Sequence, residues 1–492
     1  MKITLVNPSM WVKKKEFYGV TPPLGLCYIA GMLEKEGYNV NIIDGQVEKD
    51  KDEAVEKNGF IRVGISIEGL SKLIARSAPD IIGLSCPLSI MWEDVSKLSR
   101  LLKNDSPNSF QVLGGFHPSA FPQECLRDSK VDCIVIGEGE ITFLEVVNRI
   151  SQKQNPFNSN GIAFINENGV PVKNQPREHI KNLDLIPFPA RHMIDLEKYI
   201  KINKSQGGQK RYRYTTVITS RGCPNDCIFC SVKVVWGRGW RARSPENVVE
   251  ELEELKNKYK INEIHFEDDN ISLNKKRMNR LCDLIIEKDL DMTWTTPNGI
   301  AVHTLDKELL IKMKKSGCHQ LNFGIESGNE FILSSVIRKN LRLAKAREVI
   351  AWTKEAGIWA HGFFVIGFPG ETHKMIQDTL NFAKTSNLDS AFFTIATPYP
   401  GTELFDILVS MGKKIDRNSF LKLRSMDCAV GTDFFTPEEL VELQKAVYKN
   451  FFIYRFYKEM NPINIIKRLK DIDSKDDINY YLKKVTRLEH IW

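Results

Sequence analysis

Short apolar runs alternate with longer amphipathic stretches along most of this chain, and that alternation limits the fold more than any other feature. Over residues 1–150 the runs are KITLVNP (2–8), NVNIIDG (39–45), DIIGLSCP (80–87), FQVLGGFHP (110–118) and CIVIGEGE (133–140). Each is rich in Val, Ile and Leu and passes into small or turn-forming residues. Helical stretches such as LGLCYIAGMLEKEGY (24–38) fall between them. Continuous apolar strands separated by helices predict an α/β fold with a doubly wound parallel sheet covered on both faces. Ligands of such sheets lie at the carboxyl ends of the strands. There the chain carries Asn7-Pro8, Asp44-Gly45, Ser85-Cys86, Gly114-Gly115 and Gly137-Glu138-Gly139. Small residues at these points let a large flat ligand approach the backbone, although ordinary tight turns use the same residue types.

Residues 151–212 are irregular, with clusters of Asn, Pro and Gly, and read as a connector with a small hairpin at GIAFINENGVPV (161–172). From 213 to 410 the alternation resumes. The expected strands are YTTVITS (214–220), EIHFED (263–268), MTWTTPNG (292–299), QLNFGIES (320–327), WAHGFFVIG (359–367) and AFFTIATP (391–398). Between them PENVVEELEELKNKY (245–259) has acidic residues at its start and lysines near its end, as a helix dipole favours. These units predict a partial (β/α)6 barrel rather than a closed eight-strand one. Residues 411–492 read as helical and basic, with KAVYKNFFIYRFYKEM (445–460) and INIIKRLKDI (463–472) amphipathic. Such helices pack on a barrel or form a lid.

A chain of 492 residues exceeds a single hydrophobic core. Its 42% apolar and 27% charged residues are ordinary for a soluble protein, and a net charge of +7 over this length does not point to nucleic acid or a membrane. MKITLVNPSMW reads as a strand rather than a signal peptide, and no run of 18 apolar residues occurs, so a cytoplasmic location is expected.

Most of the ten cysteines stand alone inside apolar patterns, as small core residues do. The stretch SRGCPNDCIFC (220–230) departs from this, with Cys223, Cys227 and Cys230 spaced C-x3-C-x2-C in the loop after a strand. Zinc takes four ligands, often as two close pairs, and the next cysteine in the chain is Cys282. A disulfide cannot use three cysteines. A [4Fe–4S] cluster normally takes four thiolates, so three leave one iron open to bind something else.

SRGCPNDCIFC resembles the signature of the radical S-adenosylmethionine superfamily. The resemblance implies that Cys223, Cys227 and Cys230 hold the cluster and that its open iron chelates the amino and carboxylate groups of S-adenosylmethionine. Reductive cleavage then gives a 5′-deoxyadenosyl radical, which abstracts hydrogen. Phe229 resembles the aromatic residue beside the adenine. EDDN (267–270) stands where many members have Gly-Gly-Glu, and Asp268 and Asp269 would accept from the methionine ammonium; a helix N-cap at Asp269 or Asn270 fits equally. GIESG (324–328) is similar to the fourth-strand motif, with Glu326 and Ser327 facing ribose or carboxylate. GFPGET (367–372) and PYPGTELF (398–405) resemble the loops after strands five and six, with Gly367 and Pro369 shaping the adenine pocket. WGRGWRARSPENV (236–248) resembles the segment after the cluster loop, its arginines either balancing the cluster and a carboxylate or solvated.

The first domain is similar to that of the cobalamin-binding subgroup, through TPPLGLCYIAGMLEKEGYNVNIID (21–44) and VLGGFHPS, and NLDLIPFPAR (182–191) resembles its connector. Pro8, Pro23, Leu24, Ser85, Gly114, Gly115, Gly137, Glu138 and Gly139 would then surround cobalamin. The Asp-x-His-x-x-Gly motif that supplies a lower cobalt ligand is missing. The first histidine, His117, reads as a loop residue rather than that ligand. The implied layout is a Rossmann-like cobalamin domain (1–150), a connector (151–212), a radical S-adenosylmethionine barrel (213–410) and a helical region (411–492). The implied reaction is methylation of an unactivated carbon of a small-molecule or lipid-like substrate, fed by a ferredoxin or flavodoxin. The alternatives are an oxidative cyclase or rearrangement enzyme of the anaerobic magnesium-protoporphyrin cyclase type, and a non-catalytic cobalamin or iron–sulfur sensor.

Overall fold

The computed structural model describes residues 1–13, 19–49, 56–57, 59–203, 209–415, 423, 427–461 and 478. INIIKRLKDI lies outside these residues. The chain divides into two compact units, residues 1–203 with 231–237 and 399–401, and residues 204–230, 238–398 and 402–492.

The first unit is built on a seven-stranded sheet. Its strands are β1 (Lys2–Asn7), β2 (Asn39–Asp44), β3 (Ile81–Ser85), β4 (Phe110–Gly114), β5 (Cys133–Val135), β6 (Ile162–Ile165) and β7 (Pro171–Lys173), in the order β7-β6-β5-β4-β3-β1-β2. β1 to β5 are parallel, and β6 and β7 add the hairpin expected from GIAFINENGVPV in antiparallel sense. The doubly wound reading therefore holds. The winding reverses between β1 and β3, which makes the ends of those two strands the topological switch point. Apolar side chains bind the helices to the sheet. Leu26, Ala30 and Leu33 of helix α1 (Leu24–Lys35) and Phe143, Val146 and Val147 of helix α2 (Gly139–Ser151) share one buried cluster with Ile3 and Leu5. Full burial of each large side chain contributes about 1.5–3 kcal/mol. Residues 162–203, expected as connector, supply the two antiparallel strands and helix α3 (Leu196–Asn203) to this unit.

In the second unit six parallel strands follow chain order: β8 (Tyr214–Val217), β9 (Glu263–Phe266), β10 (Thr293–Ile300), β11 (Cys318–Glu326), β12 (Trp359–Ile366) and β13 (Ser390–Ile395). With no reversal of order, right-handed crossovers place every connecting helix on the same face, as in a barrel. That face is apolar and sealed: Leu321, Phe323 and Ile325 of β11 have no exposed surface. Phe364 of β12 packs on Phe382 of helix α5 (His373–Thr385), and Phe393 of β13 on Phe451 of helix α6 (Pro437–Glu459). Helix α4 (Pro245–Tyr259) spans the expected residues, with the Ser244 hydroxyl accepting from Asn247 N at 3.2 Å.

Candidate active site

The cysteine loop leaves the carboxyl end of β8, and two carboxylates from the loop after β9 pin its entry. Asp268 accepts from Thr219 N at 3.0 Å, from the Thr219 hydroxyl at 2.7 Å and from the Ser220 hydroxyl. Asp269 accepts from Gly222 N at 2.9 Å, one residue before Cys223. Burial raises both carboxyls, Asp269 to about 6. Gly222 sits at φ 82°, the left-handed region that lets the chain turn sharply into the loop. None of the ten cysteines is in a disulfide; Cys227 is buried, and Cys223 and Cys230 are half-buried. Phe229, between two of them, lies with its ring 5.8 Å from that of Phe368.

Lys339 also belongs here, and nothing in its sequence setting, IRKN, marks it. It follows the left-handed turn at Arg338, and its ammonium stands 2.7 Å from Glu326 Oε1. Burial opposes the lysine's charge, but Glu326 and the thiols of Cys227 and Cys230 outweigh that and raise its pKa. Burial likewise raises the thiols of Cys223 and Cys227, against the pull of the same lysine. Glu326 itself lies at φ 70°, an unusual conformation for a side chain that is not glycine. Among the described residues no three His, Cys, Asp or Glu side chains stand close enough to share one metal ion. A cluster gives each thiolate its own iron, so this donor set of three loop thiols beside a cation fits a cluster.

Several expected placements need correction. Asp268 uses both oxygens on Thr219 and Ser220, which fixes the entry of the loop. Neither Asp269 nor Asn270 caps a helix: the helix begins at Lys275, and Asn274 caps it. Ser327 is fully buried, with its hydroxyl 3.1 Å from that of Thr379 on α5, and so faces the packing layer. The arginines of WGRGWRAR serve the chain's own carboxylates, Arg238 with Asp226 and Arg243 with Glu251. Gly367 takes φ 84° beside Leu440, and Pro369 is half-buried. Sequence reasoning missed the role of Glu371 here. Its Oε2 accepts from Gly367 N and Phe368 N at 2.6 and 3.2 Å, while Oε1 is buried without a hydrogen bond. Burial pushes this carboxyl up to about 7.

At the carboxyl edge of the first sheet, Asn7 and Tyr199 both donate to Asp44, at 3.0 and 2.6 Å. Asn203 bonds both backbone groups of Val20. Helix α3 is thereby fastened at the ends of β1 and β2. Ser85, Gly114, Gly115 and Gly137 remain half-buried at the ends of β3 to β5, and Pro8 is buried after β1. A Cβ on Gly115, at φ 113°, would lie 2.6 Å from Cys86 O, so only glycine brings the backbone this close. Pro23 precedes α1, Leu24 is buried in it, and Gly139 opens α2 against Ile29. Glu138 accepts from Ile180 N at 2.9 Å and contacts His179, which holds the following segment. His117 departs from the loop placement expected of it. It lies in the short helix Phe116–Ala120, buried, with Nδ1 3.0 Å from Ser89 Oγ.

Two family descriptions match this chain, the Radical SAM superfamily over residues 217–383 and the B12 binding domain over residues 11–147. An uncharacterized methyltransferase of Pyrococcus horikoshii is 35% identical over 455 residues, covering 92% of this chain and 93% of the relative. The cytidylyl-2-hydroxyethylphosphonate methyltransferase of Streptomyces wedmorensis is 32% identical, covering 92% and 90%. Among solved structures, the radical S-adenosylmethionine methyltransferase TsrM of Kitasatospora setae, with cobalamin and a [4Fe–4S] cluster bound, has a TM-score of 0.67 at 16% identity. That match covers 83% of this chain and 75% of TsrM, and it is a likeness of fold.

Proposed function

Since this chain belongs to the radical S-adenosylmethionine superfamily, in the methyltransferase branch with a B12-binding domain, we propose that it methylates an unactivated carbon of a small molecule. The observation that carries the proposal is the cysteine loop at the carboxyl end of β8, with a buried ammonium beside its thiols. A [4Fe–4S] cluster and cobalamin would supply reductive cleavage of S-adenosylmethionine and a carrier for its methyl group. Cys223, Cys227 and Cys230 hold the cluster. Lys339, the cation beside them, faces the carboxylate of S-adenosylmethionine, and Glu326 orients that lysine. Phe229 and Phe368, with Gly367 and Pro369, border the adenine. Asp269 keeps Gly222 and hence the loop in place. At the other site Pro8, Ser85, Gly114, Gly115 and Gly137 cradle the corrin, with no side chain among them able to ligate cobalt as histidine does.

No described helix is long and apolar enough to cross a membrane. A cytoplasmic setting and a ferredoxin or flavodoxin as electron donor complete the proposal. The test is anaerobic reconstitution with iron, sulfide and hydroxocobalamin, followed by reduction with S-adenosylmethionine and candidate acceptors. Formation of 5′-deoxyadenosine together with S-adenosylhomocysteine supports methyl transfer by this route. Formation of 5′-deoxyadenosine alone supports the cyclase alternative, and formation of neither overturns the proposal.

A further inference from the structure

The face of the second sheet opposite its helices has a chemistry of its own. Along β12 and β13 burial alternates residue by residue: Trp359, His361, Phe363, Ser390, Phe392 and Thr394 are half-buried, while most of their neighbours are sealed against the helices. Solvent therefore reaches the inner face of strands whose outer face is closed. By the strand registers, Gln320, Asn322 and Gly324 of β11 and Thr293 and Thr295 of β10 share this inner face.

These groups are hydrogen-bonding and held in fixed geometry. Gln320 Nε2 donates to Asn322 Oδ1 at 2.7 Å, and Asn322 Nδ2 donates to Pro297 O at 3.1 Å. His361 Nδ1 lies 2.7 Å from Ser390 Oγ, and its ring meets Phe363 edge to face at 5.0 Å. The Thr295 hydroxyl, on a residue 3% exposed, finds no partner among the described residues. The carboxylate on the floor is already hydrogen-bonded within the sheet. A register shift after Trp294 turns His319 inward, and Glu263 Oε1 lies 3.2 Å from it and 3.0 Å from His265. Among the described residues, the inward positions of β9 to β13 carry no Lys or Arg.

An acyl or isoprenoid chain on this face would strip hydrogen bonds from several polar groups without replacing them. The Lys339 ammonium, 3.0 Å from where a Cβ on Gly324 would stand, is already paired with Glu326, so among the described residues a phosphate or carboxylate on this face would have no cation of its own. A flat polar ring meets both demands, with edges for Asn322, Thr295 and His361 and faces for Phe363 and Phe392. Resting on the methyltransferase reading above, we propose that this inner face binds an uncharged, hydrogen-bonding ring of the methyl acceptor: a sugar, a nucleobase or a heteroaromatic ring. Of the small-molecule or lipid-like substrates expected from the sequence, this proposal takes the first.

The test is equilibrium dialysis of the reconstituted full chain, loaded with both cofactors and S-adenosylmethionine, against 14C-labelled uridine, methyl β-glucoside, indole and geranylgeraniol. At least one ring probe is retained and geranylgeraniol is not, and Asn322→Leu and Phe392→Ala each weaken that retention at least tenfold. Retention of geranylgeraniol, of no probe, or of rings that both variants leave unchanged overturns the inference. Dithionite is then added anaerobically to the same wild-type samples, and formation of 5′-deoxyadenosine is followed. If it forms while no ring is retained, the inference alone fails; if it does not form, the methyltransferase reading and the inference fail together.

Discussion

Lys339 and Glu326 form an ion pair at 2.7 Å, with side chains only 17% and 10% exposed, beside the three thiols of the cysteine loop. Breaking a buried pair by removing one partner costs about 3–5 kcal/mol, because the other charge is left without compensation. Lys339→Met should therefore lower the melting temperature and abolish detectable cleavage of S-adenosylmethionine. The double variant Lys339→Met with Glu326→Gln should recover most of the stability but none of the cleavage. Calorimetry and 5′-deoxyadenosine assays separate the two effects, and recovery of cleavage in the double variant would show that the lysine only neutralises Glu326.

Cys223→Ser should remove the iron–sulfur absorbance and all 5′-deoxyadenosine formation, since a hydroxyl replaces a ligating thiolate. Cys86→Ser should keep a full complement of iron. Cys86 is fully buried in the first unit, where burial raises its thiol far above the usual range. Iron analysis of the two variants after anaerobic reconstitution checks the pair.

Glu371 predicts a pH dependence. Burial disfavours its charge and pushes the folded carboxyl up to about 7, from an ordinary 4.5. The native state thus binds the proton more tightly. The resulting stability is fully present below about pH 4.5 and is lost as pH rises through 7, on the order of 2–3 kcal/mol. Asp44 and Asp269, both raised to about 6, act in the same direction. Glu371→Gln keeps an acceptor for Gly367 N and Phe368 N, so denaturant unfolding should show a flatter stability profile between pH 5 and 8 than in the wild type. Equal slopes in the two proteins would remove Glu371 from the account.

Gly115→Ala should cost more than about 2 kcal/mol and abolish uptake of hydroxocobalamin. The added methyl would meet Cys86 O at 2.6 Å, and alanine resists φ 113°. Gly114→Ala is the comparison, since its Cβ meets nothing nearer than Val135 at 3.9 Å. It should fold normally, and any loss of cobalamin uptake there reports contact with the corrin itself.

Ser327→Ala should lower stability by about 1 kcal/mol and leave the affinity for S-adenosylmethionine unchanged, because the hydroxyl meets Thr379. A tenfold loss of affinity with unchanged stability would restore the placement that sequence similarity suggested.

The strands of the two main sheets were legible because most are short runs of β-branched and aromatic residues bounded by turn residues, with Thr prominent in β8 and β10. In β12 and β13 the burial pattern follows the period of two that such runs imply. The cysteine loop was legible from spacing alone. What the sequence hid were roles decided by partners distant in the chain. Asp268 and Asp269 look alike, yet one is taken up by Thr219 and Ser220 and the other by Gly222. Glu138 reads as part of a glycine-rich edge, but a backbone amide 42 residues on claims it. Lys339 reads as one more surface lysine until the fold sets Glu326 beside it. His319 escaped because a register shift, invisible in an alternating pattern, turns it toward Glu263.

The antiparallel pairing of β5 with β6 sets where the first unit can be cut. A fragment ending at residue 150 would expose the ladder of β5 as a raw edge, and it would leave Asp44 without Tyr199 and Val20 without Asn203. Open edges recruit other chains, so such a fragment should aggregate. One that ends after Asn203 carries its own edge protection and is the starting point for expressing this half alone.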